Sequence, residues 1–168
     1  MNLQDTAQAL AGIARAKLNE FDTQLSALDP AAKTERKALT IARQMASHAA
    51  NFAMMPARGG AAFVGGGGSI AMYERRIFRE FPWFRDCEAA YRALDENEQG
   101  GFRAYAFALG MAKTAFYDKR KAVLDAPDNA PANALFEAKI ICGALGDILA
   151  AWQAWWRENG CIACEVAL

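Results

Sequence analysis

Apolar residues at the start of the chain recur at helical spacing. Leu3, Ala7, Leu10, Ala14, Leu18, Phe21, Leu25 and Leu28 follow one another at intervals of three or four, which sets them on one face of an amphipathic helix. Asp29-Pro30 closes that helix and opens the next, with Asp29 as N-cap and Pro30 at the first helical position. Ala38, Ile41, Met45, Ala49 and Phe52 carry the second stripe, which runs to Met55-Pro56. Together they predict an antiparallel helical hairpin over residues 1–56.

The pattern then gives way to glycine. Six glycines fall between Gly59 and Gly68, and glycine loses the most backbone entropy on ordering, so 57–68 is expected to be a flexible loop. Ser69 caps a third helix carrying Ile70, Tyr73, Ile77 and Phe78, which Pro82 stops. A short fourth helix shows Phe84, Cys87, Tyr91 and Leu94, and Gln99-Gly100-Gly101 is expected to break it. A fifth runs from about Phe102 to Leu124. Pro127 and Pro131 mark a loop, and a sixth helix ends at Asn159-Gly160, a C-terminal glycine signal. No strand candidate exceeds a few residues. The expectation is an all-α fold of about six helices: the hairpin, the loop, and a bundle over 69–168 packed around the last helix, in one compact domain.

That last helix is the most constrained segment. From Ile140 to Trp156 it carries one charge, Asp147, and one amide, Gln153. A helix apolar on all sides must be buried on most of them. Cys142, Gly146, Ala150 and Ala154 form a stripe of small residues that lets the first or fifth helix approach closely. If it is left uncovered, the Trp152, Trp155 and Trp156 end is the natural partner or homo-oligomer patch. The run is shorter than the ~20 residues needed to cross a bilayer and has a carboxylate near its centre, so no membrane span is expected.

Composition agrees with helices. Valine occurs only at Val64, Val123 and Val166, while alanine, the best helix former, abounds. Nineteen basic residues balance nineteen acidic ones, so the net charge gives no general attraction to nucleic acid. The absence of a basic-then-apolar leader, with only four cysteines, points to the cytoplasm with thiols mostly reduced.

Candidate chemistry is sparse. The glycine loop has no lysine at the P-loop position and no strand before it. Cys161-Ile-Ala-Cys164 is a single Cys-x-x-Cys pair, where zinc sites recognisable from sequence show two. The only histidine, His48, rules out a multi-histidine metal centre. Asp147 reads either as a tuned acid in a pocket, or as an ion-paired or solvent-facing carboxylate. No catalytic residue, cofactor or metal is assigned, and the chain is not expected to be an enzyme.

The strongest binding signal is Tyr73–Arg85, where Arg75, Arg76, Arg79 and Arg85 alternate with Phe78, Phe81, Trp83 and Phe84. Arginine and aromatics are enriched at interface hot spots. Partner contact is therefore expected at Arg75, Arg76, Arg79, Phe81, Trp83 and Arg85. Lys113, Lys119, Arg120 and Lys121 could extend a basic strip and are the candidate nucleic-acid contacts. The expected function is a non-catalytic binding protein: a small inhibitor or adaptor that engages a larger protein machine. The alternative is a nucleic-acid-associated subunit of a nucleoprotein assembly. In size and helicity the chain is similar to the small helical subunits of CRISPR effector complexes.

Overall fold

A computed structural model describes residues 1–63, 79 and 82–162, the side chains of 59–63 and 82–84 excepted. Among the described residues the secondary structure is helical throughout. Helix α1 spans Leu3–Ala27 and α2 spans Lys33–Phe63. A 3-10 turn, Pro82–Cys87, leads into the short α3, Glu88–Arg92. Helix α4 spans Glu96–Leu124 and α5 spans Ala132–Asn159. The expected third helix, with Ile70, Tyr73, Ile77 and Phe78, lies outside the described residues.

Helices α1 and α2 form one hairpin, α4 and α5 a second, and the two pack together as a four-helix bundle. Local chemistry sets the ends. Asn2 caps α1 by accepting from the Asp5 N–H at 2.9 Å. Asp95 caps α4 in a reciprocal capping box with Glu98, which satisfies two otherwise orphaned donors. Asp29 does not cap α2 directly. It accepts from the Ala31 N–H at 2.8 Å in a turn, and the helix begins at Lys33. Arg36 then reaches back from α2 to the carbonyls of Leu25 and Leu28, each at 3.3 Å, and covers acceptors at the end of α1. The Arg43–Asp22 ion pair joins the same two helices.

Two expected breaks are absent. Helix α2 continues through a buried Pro56 to Phe63, so it takes in the start of the segment read as loop; residues 64–68 of that segment lie outside the described residues. Gly100 and Gly101 lie inside α4 and do not end a helix. Their role is close approach: a Cβ at Gly100 would meet Leu3 at 3.4 Å, and one at Gly101 would overlap the Met1 carbonyl oxygen. The missing side chains let the start of α1 lie directly on α4.

The core combines small and large residues from opposite hairpins. Ala7, Ala11 and Ala14 of α1 and Ala46, Ala49 and Ala53 of α2 are all fully buried. Bulk comes from Phe102, Tyr105 and Leu109 of α4 and from Leu149, Trp152 and Trp156 of α5. Tyr105 stacks on Trp156 with ring centroids 4.3 Å apart, and Phe102 lies between Trp156 and Tyr91 of α3. The Trp152 indole N–H donates to the Leu10 carbonyl at 2.9 Å, tying α5 to α1 in the centre.

The apolar last helix is thus anchored by Trp152 and Trp156, which are buried; they do not form an exposed patch. Its small stripe divides. Cys142 and Gly146 sit against Phe116 of α4, whereas Ala150 and Ala154 are exposed. No helix among the described residues is long and apolar enough to cross a membrane.

Candidate partner-binding surface

The bundle is packed unevenly along its length. Between Asp22 and Ile41, and between Thr114 and Glu137, no residue is buried. These two stretches are the tips of the two hairpins, and they meet. Lys37 of α2 pairs with Glu137 of α5 at 2.9 Å and lies over the Phe136 ring at 5.9 Å. A groove of about 460 Å³ separates the tips, lined by Lys33, Thr34, Lys37, Ala132, Asn133 and Phe136. The aromatic core lies toward the other end.

The cause is visible in the side chains. The tips carry apolar residues at helical spacing, including Leu25, Leu28, Leu39, Val123 and Leu135, but none of the buried aromatics that fill the opposite half. On the last two turns of α4, Tyr117 remains 38% exposed and Leu124 70% exposed. They line a second depression of about 370 Å³ with Asp118, Arg120, Lys121 and Asp125. Exposed apolar area rimmed by charge, on a sparsely packed element, has the composition of a binding surface.

The candidate residues separate accordingly. Lys119, Arg120 and Lys121 are exposed on the sparsely packed tip of α4. Lys113 does not join them. It is 3% exposed, its ammonium lies 5.4 Å from the Tyr117 ring centroid, and burial pulls its pKa down to about 8. Nothing in its sequence neighbourhood, one helical turn before Tyr117, marks it as buried.

Arg79 and Arg85 are exposed. Arg75, Arg76 and Phe81, and the side chain of Trp83, lie outside the described residues. Arg85 is on the turn leading into α3, whose Tyr91 ring packs on Phe102 at 5.2 Å. Lys119 lies seventeen residues beyond Phe102 on α4, roughly 26 Å along the axis at 1.5 Å per residue. Arg85 and the Lys119–Lys121 group therefore belong to opposite ends of the bundle and do not form one continuous strip.

The remaining polar candidates occupy ordinary positions. His48 is exposed on α2 with its ring 6.5 Å from Phe52. Asp147 is exposed beside a groove of about 290 Å³ between α1 and α5, lined also by Ile13, Ala16, Lys17, Glu20, Ile148 and Ala151. The solvent-facing reading of that carboxylate holds.

Cys161 is a free thiol that donates to Glu98 at 3.3 Å. Burial, with that carboxylate next, pushes its pKa up, the opposite of what a nucleophilic or metal-binding thiolate needs. Burial likewise raises the pKa of Cys142, whose thiol contacts the Phe116 carbonyl at 3.7 Å. Cys87 is disulfide-bonded, so the reading of reduced thiols does not extend to it. Cys164 lies outside the described residues. Among the described residues no group of three or more His, Cys, Asp or Glu side chains is placed to hold a metal ion.

Comparison with protein-family models, with curated proteins and with solved structures finds no match for this chain.

Proposed function

We propose that this chain is a non-catalytic helical binding protein, a small inhibitor or adaptor of a larger protein machine. It engages its partner through the sparsely packed end formed by the two hairpin tips. The observation that carries the reading is the absence of any buried residue in either tip while Tyr117 and Leu124 stay exposed there. A tip built this way gains little from its own core, and its apolar area is available to a partner at low cost in rearrangement.

A protein partner is favoured over nucleic acid by the charges. Asp118 and Asp125 line the same depression as Arg120 and Lys121, and mixed charge around exposed apolar groups suits a protein surface better than a phosphate backbone. Separation of Arg85 from Lys119–Lys121 also counts against the long basic strip that the nucleoprotein alternative needs, though Arg75 and Arg76 lie outside the described residues. Arg85 remains a candidate for a contact at the opposite end, and Arg79 remains a candidate by its exposure alone.

The test is capture of partners from host lysate by the tagged chain, with and without nuclease, using the parent and a Tyr117→Ser/Leu124→Ser variant. A stoichiometric protein that survives nuclease and is lost with the double variant supports the proposal. A partner removed by nuclease supports the nucleoprotein subunit, and a partner held equally by the variant refutes the location.

A further inference from the structure

Cys87 is disulfide-bonded, whereas Cys142 and Cys161 are free thiols. The chain has four cysteines, so the count leaves Cys164 as the partner of Cys87, although Cys164 itself lies outside the described residues. A disulfide and an unused thiol therefore share one short segment, Cys161-Ile-Ala-Cys164. That is the spacing at which two cysteines bond to each other in dithiol motifs.

The described residues bring the two ends of the disulfide together. Cys87 is buried at the junction of the 3-10 turn and α3. Tyr91, one turn further along α3, packs on Phe102, and Phe102 on Trp156. The Trp156 indole N–H donates to the Ile162 carbonyl at 2.8 Å, and Ile162 is buried in the same cluster as Cys87. The chain thus turns back after Gly160 and brings Ile162 to the end of the bundle that holds Cys87. Cys164 follows two residues later, a reach of at most ~7 Å, against a Cα separation of roughly 4.4–6.8 Å across a disulfide.

Cys161 is exposed, and its thiol donates to Glu98 of α4 at 3.3 Å. Burial and then Glu98 keep it protonated, with the Met1 amino group opposing them. A protonated thiol does not attack a disulfide, so the Glu98 contact holds the three cysteines in their resting arrangement.

We propose that Cys87, Cys161 and Cys164 form a thiol–disulfide exchange centre that latches the C-terminal tail to α3. Cys161, once its proton has passed to solvent, attacks the Cys164 sulfur. The Cys161–Cys164 bond forms as the Cys87–Cys164 bond breaks, and Cys87 leaves as a thiolate that takes up a proton. One disulfide is present before and after, so no oxidant or reductant is consumed. The exchange frees Cys87, and with it the turn that carries Arg85, from the tail.

The experiment maps disulfides in the full chain, purified without reductant. After incubation at pH values from about 6 to about 9, free thiols are blocked with N-ethylmaleimide in denaturant at mild acidity. Tryptic peptides are then sequenced by mass spectrometry. At the acidic end Cys87 should be joined to Cys164, with Cys142 and Cys161 blocked. As pH rises, a growing fraction should carry the Cys161–Cys164 bond and a blocked Cys87, with the number of free thiols per chain unchanged. Cys161→Ser should abolish that fraction, and Cys142→Ser should leave it intact. Glu98→Gln, which can still serve the α4 capping box, should speed the exchange at a given pH by about threefold or more. Cys87 found blocked, or joined to another residue, at the acidic end overturns the pairing. A Cys87–Cys164 bond that persists at every pH, or a blocked Cys87 in Cys161→Ser, overturns the exchange. An unchanged rate in Glu98→Gln overturns the role of that carboxylate.

Discussion

Trp152→Phe tests how the two hairpins are joined. The side chain is fully buried, and its indole N–H donates to the Leu10 carbonyl at 2.9 Å across 142 residues of sequence. Phenylalanine keeps an aromatic ring but removes the donor and part of the volume. The Leu10 carbonyl lies within α1 and keeps its helical partner, so the substitution forfeits a net hydrogen bond of about 1 kcal/mol and leaves no orphaned acceptor. A residual void of roughly 40 Å³ at ~24 cal/mol per Å³ adds about 1 kcal/mol. The expected loss is about 2 kcal/mol, which for a domain of this size lowers Tm by roughly 4–8 °C. Urea unfolding followed by far-UV circular dichroism reads it as a lower midpoint at unchanged slope. Trp155→Phe, at a half-buried site, is the matched control and should cost under ~1 kcal/mol. If the two variants unfold alike, or Trp152→Phe moves stability by less than ~0.5 kcal/mol, the docking of α5 on α1 through this residue is wrong.

Three further outcomes follow from named contacts. Gly160→Ala places a Cβ into the Trp156 indole ring; since φ there is −83° and therefore unstrained, the cost is overpacking alone, about 1–3 kcal/mol by chemical denaturation. Asp95→Ala removes the side-chain half of the α4 capping box, the bond its carboxylate accepts from the Glu98 N–H, and leaves the backbone N–H of residue 95 free to donate to Glu98; it should cost about 1 kcal/mol, with Asp95→Asn recovering part of it. Lys113 titrates near 8 when folded against 10.5 when free. Between those values the unfolded chain binds the proton and the folded chain does not, so this residue makes stability rise with pH across that window and leaves a constant penalty below it. Lys113→Met should therefore stabilise the chain at pH 7, by an amount on the order of 1–3 kcal/mol, and should remove that part of the slope between pH 8 and 10.5; equal pH profiles for parent and variant would contradict the burial.

What the sequence reveals here is local, and what it conceals depends on distant contacts. The stripe from Leu3 to Leu28 is legible because helical period and burial coincide: Ala7, Leu10, Ala14 and Phe21 are buried and Leu3, Leu18, Leu25 and Leu28 half-buried. Yet the same periodicity runs unchanged from the packed half of α1 into its sparsely packed tip. Spacing alone cannot register that no residue of that tip, Leu25 and Leu28 included, is fully buried. Gly100-Gly101 carries the composition of a helix break, but its purpose is set by Met1 and Leu3, almost a hundred residues away. Pro56 stops a helix only where the lost N–H bond is not outweighed; in α2 the helix continues through it to Phe63. Of the small stripe of α5, Cys142 and Gly146 meet Phe116 of α4, while Ala150 and Ala154 do not lie against a neighbouring helix. Ala150 and Ala154 turn outward because Trp152 and Trp156, fixed by their indole bonds to Leu10 and Ile162, decide which way the helix faces. One pair of hydrogen bonds thus commits the tryptophans to the core and, through the rotation of the helix, the alanines to the surface.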